Sequence, residues 1–283
     1  MPRLALYLTA PFAAMLGIAQ PALAQDARPA GPPPAGDRVT IGLGLGTSAD
    51  YEGSDDYRLQ PGGILQGRLG GIDFQMRGLN LYTDLIADKP GSRTQFKLGP
   101  VVQVRLDRTG TIKDPRVAQL GSRKTAVELG LNAGIGLRGA LIPPDSLSFE
   151  VSYLHDVAGA HRSAVVTPSI NYATPVSARA FARLSVSADH VGAGYARTYF
   201  DVAPVAGPAV PLPAYATRGA GWKSVGTTLL YTRDLGGEPR KGLGLFALAG
   251  YKRLLGQFAD SPIVRDAGSA SQGLGVIGLS YSF

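Results

Sequence analysis

The sequence of 283 residues contains no cysteine, so disulfide bonds, thiolate metal sites and lipidation of an N-terminal cysteine are excluded. Charged residues make up only 17% of the chain and hydrophobic residues 45%. After residue 25, however, no segment approaches the roughly 20 consecutive apolar residues that a membrane-spanning helix needs. If the protein crosses a membrane, it therefore does so with strands.

Histidine is also scarce, and the spacing of His155, His161 and His190 does not indicate a metal site. His155 and His161 flank a predicted hairpin loop, where we expect solvated surface side chains. The acidic segment 47–56 lacks the spacing of a calcium loop with a terminal bidentate glutamate, so a polar connecting loop is the better interpretation. No metal and no cofactor are expected.

Two Ser–His pairs, Ser152 with His155 and His161 with Ser163, are close in sequence but lie in no recognisable motif. A catalytic triad is defined by geometry, and nothing in the sequence requires one here, so we expect a non-enzymatic protein. The formal charge of +7 would suit nucleic acid. An exported protein, however, meets mainly lipopolysaccharide, murein and acidic solutes, so no nucleic-acid partner is expected.

Residues 1–24 resemble a secretory signal peptide, with Arg3 as the positive start, an apolar run over Leu4–Ala19 and the small-residue cleavage site Ala22-Leu23-Ala24. An uncleaved N-terminal anchor helix is the alternative. Residues 25–37 are rich in proline, alanine and glycine and predict an extended linker. Residues 38–283 then form one domain.

From residue 38 onward apolar residues recur with period two, as in strands with one apolar and one polar face. The pattern is clearest over 127–138. Bacterial outer-membrane barrels normally have an even number of strands, so we place a twelfth in Tyr195–Val202, within the long stretch 191–220 that also holds the run Pro204–Pro213. Eleven segments show this alternation or are bounded by turn signals: 39–46, 58–69, 71–86, 96–106, 127–138, 146–156, 164–175, 178–190, 221–235, 242–254 and 270–283.

The predicted fold is therefore all-β, a transmembrane antiparallel up-and-down β-barrel of about 12 strands, with ten as the alternative. A soluble β-sandwich shows the same alternation, but strands this numerous, long and closely spaced favour the barrel. The last strand ends in Ile277, Leu279, Tyr281 and Phe283, spaced by two, which resembles the signal that the barrel assembly machinery recognises. These features place the protein in the outer membrane, in contact with lipid and lipopolysaccharide.

Several basic residues fall on the predicted inner face, with Asp107, Glu128 and Glu150 as acidic partners. In an open lumen such cations would favour anionic solutes, whereas in a closed lumen they would pair with the carboxylates and fill it. Strand number alone does not decide between the two. The basic residues are Lys97, Arg105, Arg138, Arg179 and Arg183.

Segments spread over 38–283 resemble the MipA/OmpV family of MltA-interacting outer-membrane proteins. The most specific are the Tyr-Glu-Gly-Ser segment within Ala49–Tyr57 and the Ala-Asp-Ser-Pro-Ile-Val segment at Ala259–Val264. Asp201 and the Gly256-Gln257-Phe258 segment depart from the family pattern. Further matching pieces are Pro61, Tyr199–Val202 with Leu212–Tyr215, Tyr251–Gly256 and the ending Gly278–Phe283.

The resemblance implies a non-enzymatic scaffold that bridges a lytic transglycosylase and a bifunctional penicillin-binding protein during murein synthesis. Other members resemble adhesins, immunogenic surface proteins or osmotic-response proteins. A pore for small anionic solutes and a surface adhesin that uses the stretch 191–220 therefore remain alternatives. Loop orientation and oligomeric state are left open.

Overall fold

The computed structural model describes residues 36–89, 91–203, 212–236 and 241–283. The predicted signal peptide, all but the last two residues of the linker, and residues 204–211 of the proline-rich run lie outside these ranges. The strands of the described chain are β1 (Arg38–Ala49), β2 (Tyr57–Leu69), β3 (Ile72–Arg77), β4 (Asn80–Asp84), β5 (Thr94–Arg105), β6 (Ala126–Arg138), β7 (Ser146–Asp156), β8 (Ala164–Ser177), β9 (Ala180–Val191), β10 (Gly221–Asp234), β11 (Gly242–Leu254) and β12 (Ser271–Ser282). The helices are α1 (Pro115–Ala118), α2 (Ala193–Phe200), α3 (Gly256–Ala259) and α4 (Pro262–Arg265).

Each strand pairs antiparallel with its neighbours in sequence, and β1 closes the ring against β12. The predicted twelve-stranded, all-β, up-and-down barrel is thereby confirmed. No helix of the described residues has the length and hydropathy needed to cross a membrane.

The placement of the twelfth strand was wrong. Residues 193–200 form helix α2, and its buried residues, Tyr195, Ala196, Tyr199 and Phe200, have helical rather than alternating spacing. The additional strand lies inside the predicted segment 71–86, which turns at Gly78 with a φ of +63° and divides into β3 and β4.

The outer surface of the barrel is apolar, whereas small residues line much of the inside. On β1, Leu43 and Leu45 are 75% and 60% exposed, while Gly42 and Gly46, on either side of this pair in the sequence, face inward and are buried. Tyr57, Tyr153, Trp222 and Tyr251 stand near one end of this apolar band, and Tyr281 and Phe283 near the other. An apolar belt between aromatic girdles is the surface expected of a barrel in lipid.

Connections at the two ends of the barrel differ in length. At the end that holds both strand termini Arg38 and Ser282, the connections 70–71, 85–93, 139–145, 178–179 and 235–241 are two to nine residues long. At the opposite end, the loops 50–56, 106–125, 157–163, 192–220 and 255–270 are seven to 29 residues long, and the three longest loops all lie there. Because outer-membrane barrels carry short periplasmic turns and longer extracellular loops, we assign the first end to the periplasm.

Candidate functional site

The extracellular mouth of the barrel is filled by its own long connections. We call this packed unit, made of α2 and segments 50–56, 106–125, 157–163 and 255–270, the plug. Tyr195 and Phe200 of α2 have no solvent-exposed surface. They pack in one apolar cluster with Val165, Val191, Ala196, Tyr199, Leu254, Phe258 and Val264.

A second apolar cluster, built around Tyr51 and Ile263, ties the loops of the plug to one another. The Tyr51 hydroxyl donates to the carbonyl oxygen of Ala267 at 2.6 Å. Gly268 lies so close to Gly53 that a Cβ atom added to it would come within 1.9 Å of the Gly53 carbonyl oxygen. The first and last extracellular loops are therefore held together by packing and by close backbone contact.

Glu52 anchors the plug to the inner wall of the barrel. Its carboxylate accepts from Lys223 Nζ at 2.7 Å and from the Tyr195 hydroxyl at 2.6 Å. Lys252 Nζ lies 3.4 Å away, and Asp189 is 3.4 Å from Lys223 Nζ, which completes a network of two carboxylates and two ammonium groups. Removing one partner from such a buried network leaves the opposite charge uncompensated.

The surroundings of Glu52 favour its charged form. Burial alone would raise the pKa of the carboxyl, but the positive charges of Lys223 and Lys252 outweigh burial and lower the pKa to about 2. The pKa of the neighbouring Tyr195 hydroxyl is raised well above its usual range, chiefly by burial. Across the neutral pH range Glu52 is thus an anion that accepts from a protonated tyrosine.

A second ion cluster lies beside the first, around the buried carboxylate of Glu128. Arg105 donates to both of its oxygens, at 2.9 and 3.2 Å, and His161 Nε2 lies 2.9 Å from Oε1. His161 is 4% exposed, and its ring centroid is 5.1 Å from that of Tyr195. The expectation that His161 is a solvated surface residue was therefore wrong, because its loop folds inward against α2.

The other residues considered for catalysis or metal binding lie apart. His155 is exposed, and the ring of His190 contacts that of Trp222 with centroids 5.2 Å apart. Within the described parts of the chain, no side-chain hydrogen bond joins Ser152 to His155 or His161 to Ser163. His161 Nε2 instead contacts Glu128. The same residues contain no group of three or more His, Asp or Glu side chains arranged to hold a metal ion.

Deeper in the lumen, a third cluster surrounds the buried Glu150. Lys97 Nζ donates to it at 2.6 Å and Arg77 at 3.1 Å. Gly134 lies between Lys97 and Glu150 in the strand register, and a Cβ atom there would come within 2.8 Å of the Glu150 side chain. The absence of a side chain at Gly134 makes room for this ion pair.

The predicted inner-face basic residues have different surroundings. Lys97 and Arg105 lie in the lumen, Arg183 does so beside Arg77, and Arg138 pairs with Asp88 at 2.9 Å on the periplasmic rim. Arg179 departs from the expectation, because the chain turns at 178–179 and leaves it exposed outside the lumen. The expected acidic partners Glu128 and Glu150 lie in these clusters, whereas Asp107 accepts from the Glu52 backbone N–H inside the plug.

At the periplasmic rim, two connections form one ordered surface, which we call the periplasmic platform (85–89 and 139–145). Asp145 accepts from the backbone N–H groups of Ala140, Leu141 and Ile142 at 2.7 to 3.0 Å. Arg93, the last residue of connection 85–93, donates to the Gly139 carbonyl at 2.9 Å, and the Arg138–Asp88 pair joins the same two connections. The side-chain cap and these cross-links fix the conformation of the turn.

This ordered surface carries apolar side chains. Leu141 is 76% exposed and Ile142 46% exposed, both in the turn beyond the end of β6. Leu85 and Ile86, in the neighbouring connection, are 57% and 37% exposed. Exposed apolar residues held on a rigid, polar-rimmed turn are typical of protein interaction surfaces.

The sequence match decides the family. A family model described as "MltA-interacting protein MipA" matches residues 41–283. The chain belongs to the MipA family. The resemblance inferred from the sequence is thereby confirmed, and the match covers every strand of the MipA barrel except the first residues of β1. No curated protein matches the chain significantly.

Solved outer-membrane proteins show a distant structural similarity to this MipA-family chain. OmpT of Vibrio cholerae is 9% identical with a TM-score of 0.36, over 88% of this chain and 97% of that one. The toluene transporter TodX of Pseudomonas putida is 9% identical with a TM-score of 0.36, over 88% and 90%. The channel DcaP of Acinetobacter baumannii is 11% identical with a TM-score of 0.36, over 89% and 99%. At these identities and TM-scores, the similarity carries no functional conclusion for this chain.

Proposed function

We propose that this outer-membrane barrel is a non-enzymatic scaffold whose periplasmic platform binds a lytic transglycosylase. The observation that carries the proposal is the rigid turn 139–145, which presents Leu141 and Ile142 to the periplasm on a conformation fixed by Asp145. The family description names an interaction with MltA, and this ordered periplasmic surface is a suitable place for one. A penicillin-binding protein is the second partner that the scaffold role requires.

The filled extracellular mouth supports a binding role over free diffusion through the barrel. Tyr195, Phe200 and Lys223 are each at most 1% exposed, so solvent does not reach the centre of the plug. A continuous pore would require this packed core and its ion pairs to separate. The scaffold role requires no such change, because the platform lies at the opposite end.

The double substitution Leu141→Asp with Ile142→Asp should weaken capture of the transglycosylase about 30-fold, because two apolar anchors of an interface together contribute about 2 kcal/mol or more. Purified lytic transglycosylase would be titrated onto the refolded full-length barrel, and the dissociation constant measured by interferometry. The matched control is Leu235→Asp, which places a charge on an exposed leucine in the distant β10–β11 connection and should leave affinity unchanged. Wild-type barrel that is folded and shows no binding would refute the scaffold proposal.

An anion-selective pore is the second candidate, and the observation that favours it is Arg183, whose buried Nη1 has no hydrogen-bond partner among the described residues. If ions pass through the lumen, replacing Arg105, Arg138 and Arg183 with alanine should lower the chloride-to-potassium permeability ratio severalfold, because cationic rings select anions. Reversal potentials in asymmetric KCl measure this ratio. An unchanged ratio in a conducting barrel would exclude an anion site formed by these residues.

A further inference from the structure

The barrel wall has an incomplete stretch along the extracellular half of β2. On one side β2 pairs with β1 from Tyr57 to Arg68, but on the other it pairs with β3 only from Gln66 to Leu69. Continuing that register places Arg77, the last residue of β3, opposite Ile64. From Leu59 to Gly63 no strand of the described chain lies next to this edge of β2.

Such an edge is not tolerated against lipid, because backbone N–H and C=O groups in the hydrocarbon region must find partners. Alternate residues of an antiparallel strand direct both their N–H and their C=O group to the same side. Some of the backbone groups on this edge therefore have no hydrogen-bond partner from a neighbouring strand. Pro61, which lacks an N–H, stands in the middle of the edge, the position in a sheet where proline is tolerated. Non-helical backbone at membrane depth is found where protein covers it or where it lines a water-filled cavity.

The stretch is bordered on all sides, so it forms a window. Below it is the β3–β4 turn, whose Leu79 carbonyl accepts from Val104 N–H of β5 at 3.2 Å. Above it is segment 106–113, fixed to the top of β2 by Lys113 Nζ, which donates to the Tyr57 carbonyl at 2.6 Å, and by Arg58, which donates to Thr111. β2 and β5 are three strand spacings apart, or about 14 Å.

Solvent accessibility indicates that segment 106–113 leaves the window uncovered. Leu59, Gln60 and Pro61 are three consecutive exposed residues, so both the inner and the outer face of β2 are accessible there. On β1 and β6, by contrast, exposed outer residues alternate with less exposed inner ones over most of the strand. Pro61 is paired with the lipid-facing Leu45, so the window lies within the apolar band.

Positive charge lies behind the inner edge of the window. Arg77 immediately precedes the turn that forms its lower border, and Arg183 is close enough for the two guanidinium groups to repel each other. Arg77 Nε and Arg183 Nη1 are buried without a hydrogen-bond partner among the described residues. Glu150 is the carboxylate that Arg77 contacts, and Lys97 shares it.

Asp84 also acts electrostatically on Lys97, and the neighbouring Asp73 pairs with Arg68, so the balance among these groups is four cations against three carboxylates. The outer border, by contrast, is apolar, since Leu59 is 74% and Leu79 54% exposed. An apolar outer border and a cationic interior with unsatisfied donors complement a molecule with an acyl chain and an anionic head. A neutral apolar ligand would leave the guanidinium groups unpaired, and a free anion would make no use of the apolar border.

We propose that this lateral window binds an anionic lipid of the surrounding membrane, with the acyl chain in the bilayer and the phosphate group directed through the wall toward Arg77 and Arg183. This site is separate from the periplasmic platform, so lipid binding at the window can be tested independently of partner binding at the platform.

The first test uses the natural absence of cysteine, which allows single thiols to be introduced without background. The variants Pro61→Cys and Leu45→Cys are a matched pair, because the two positions are paired in register and both face outward. In vesicles of phosphatidylcholine alone, where no anionic lipid is present to occupy the window, a charged, water-soluble methanethiosulfonate should modify the thiol at position 61 at least tenfold faster than the one at position 45. Equal, slow rates in barrels that show heat-modifiable gel mobility would mean that the wall has no opening at position 61, and would overturn the proposal.

The second test measures the preference for an anionic lipid. A bimane label on Leu59→Cys, on the apolar outer border, would be quenched by phospholipids with dibrominated acyl chains in phosphatidylcholine vesicles. Brominated phosphatidylglycerol should quench at about one-tenth the mole fraction that brominated phosphatidylcholine requires, and the additional substitutions Arg77→Gln and Arg183→Gln should remove this preference. Equal quenching by the two lipids in the labelled parent would overturn the proposal, as would a preference that survives loss of both arginines.

Discussion

The substitution Glu52→Gln should increase the hydrogen-exchange rate of the α2 backbone amides about 100-fold at pH 7. The neutral amide leaves Lys223, which is 1% exposed, without its closest charged partner. Breaking a buried ion pair from one side costs about 3 kcal/mol, a factor of roughly 100 in the opening equilibrium of the plug. Exchange followed by mass spectrometry reports α2 separately from the barrel strands, which should keep their protection.

The same carboxylate should make plug stability dependent on pH. Its folded pKa of about 2 lies below the value of roughly 4.3 for an unfolded glutamate. A depressed pKa contributes stability that is complete above pH of about 4.3 and is lost as the pH falls toward 2. Exchange in α2, corrected for the intrinsic pH dependence of amide exchange, should therefore accelerate over this interval in the wild type and change much less in the Glu52→Gln variant.

Asp55→Asn is the control for both experiments, because Asp55 lies in the same loop but is exposed. It should leave α2 exchange within about a factor of two of the wild type, as expected for a surface substitution. If Glu52→Gln behaved like Asp55→Asn, the buried network would not be what holds the plug in the mouth of the barrel.

The substitution Gly130→Ala should destabilise the barrel by about 3 kcal/mol, the upper end of the cost of overpacking. A Cβ atom at Gly130 would lie 1.7 Å from the Tyr153 carbonyl oxygen and 2.8 Å from Leu154 Cα, both in the backbone of the adjacent strand β7. Main-chain atoms in a closed ring have little freedom to move aside. Urea titration in detergent micelles, with heat-modifiable gel mobility as the measure of the folded fraction, gives the change in unfolding free energy.

The matched control is Gly136→Ala on the same strand. There the nearest atoms to an added Cβ are 3.4 Å away, an ordinary contact, and both belong to the side chains of Gln95 and Ser148. We expect a neutral or slightly stabilising effect, because alanine restricts the unfolded chain more than glycine does. Similar destabilisation by both variants would show that strand propensity, rather than the approach of β7, determines the effect.

The barrel could be predicted from sequence because lipid imposes a simple rule on every strand. Alternation such as that of Ile41, Leu43 and Leu45 with Gly42 and Gly44 requires only that one face meets lipid and the other the lumen. The β3–β4 turn left a weaker signal. Apolar residues fall on even positions up to Met76 and on odd positions from Leu79, a change of phase that marks the turn at Gly78.

The plug was not predictable in the same way, since its contacts join residues far apart in the chain. Glu52 binds Lys223, and Glu128 binds His161, through geometry that no local pattern specifies. The helical spacing of Tyr195, Ala196, Tyr199 and Phe200 was the one available signal. The requirement for an even number of strands instead favoured a twelfth strand over residues 195–202, so this helical spacing was not used.

Single-channel recording in a planar bilayer tests the central structural claim, that the protein's own loops close the lumen at its extracellular end. The wild-type barrel, shown to be folded by its heat-modifiable gel mobility, should carry no steady ion current. The Glu52→Gln variant should show brief openings under the same conditions. These openings would demonstrate that the assay detects an opened plug. Reproducible, long-lived conductance steps from the wild type would contradict the filled mouth and favour a transport function.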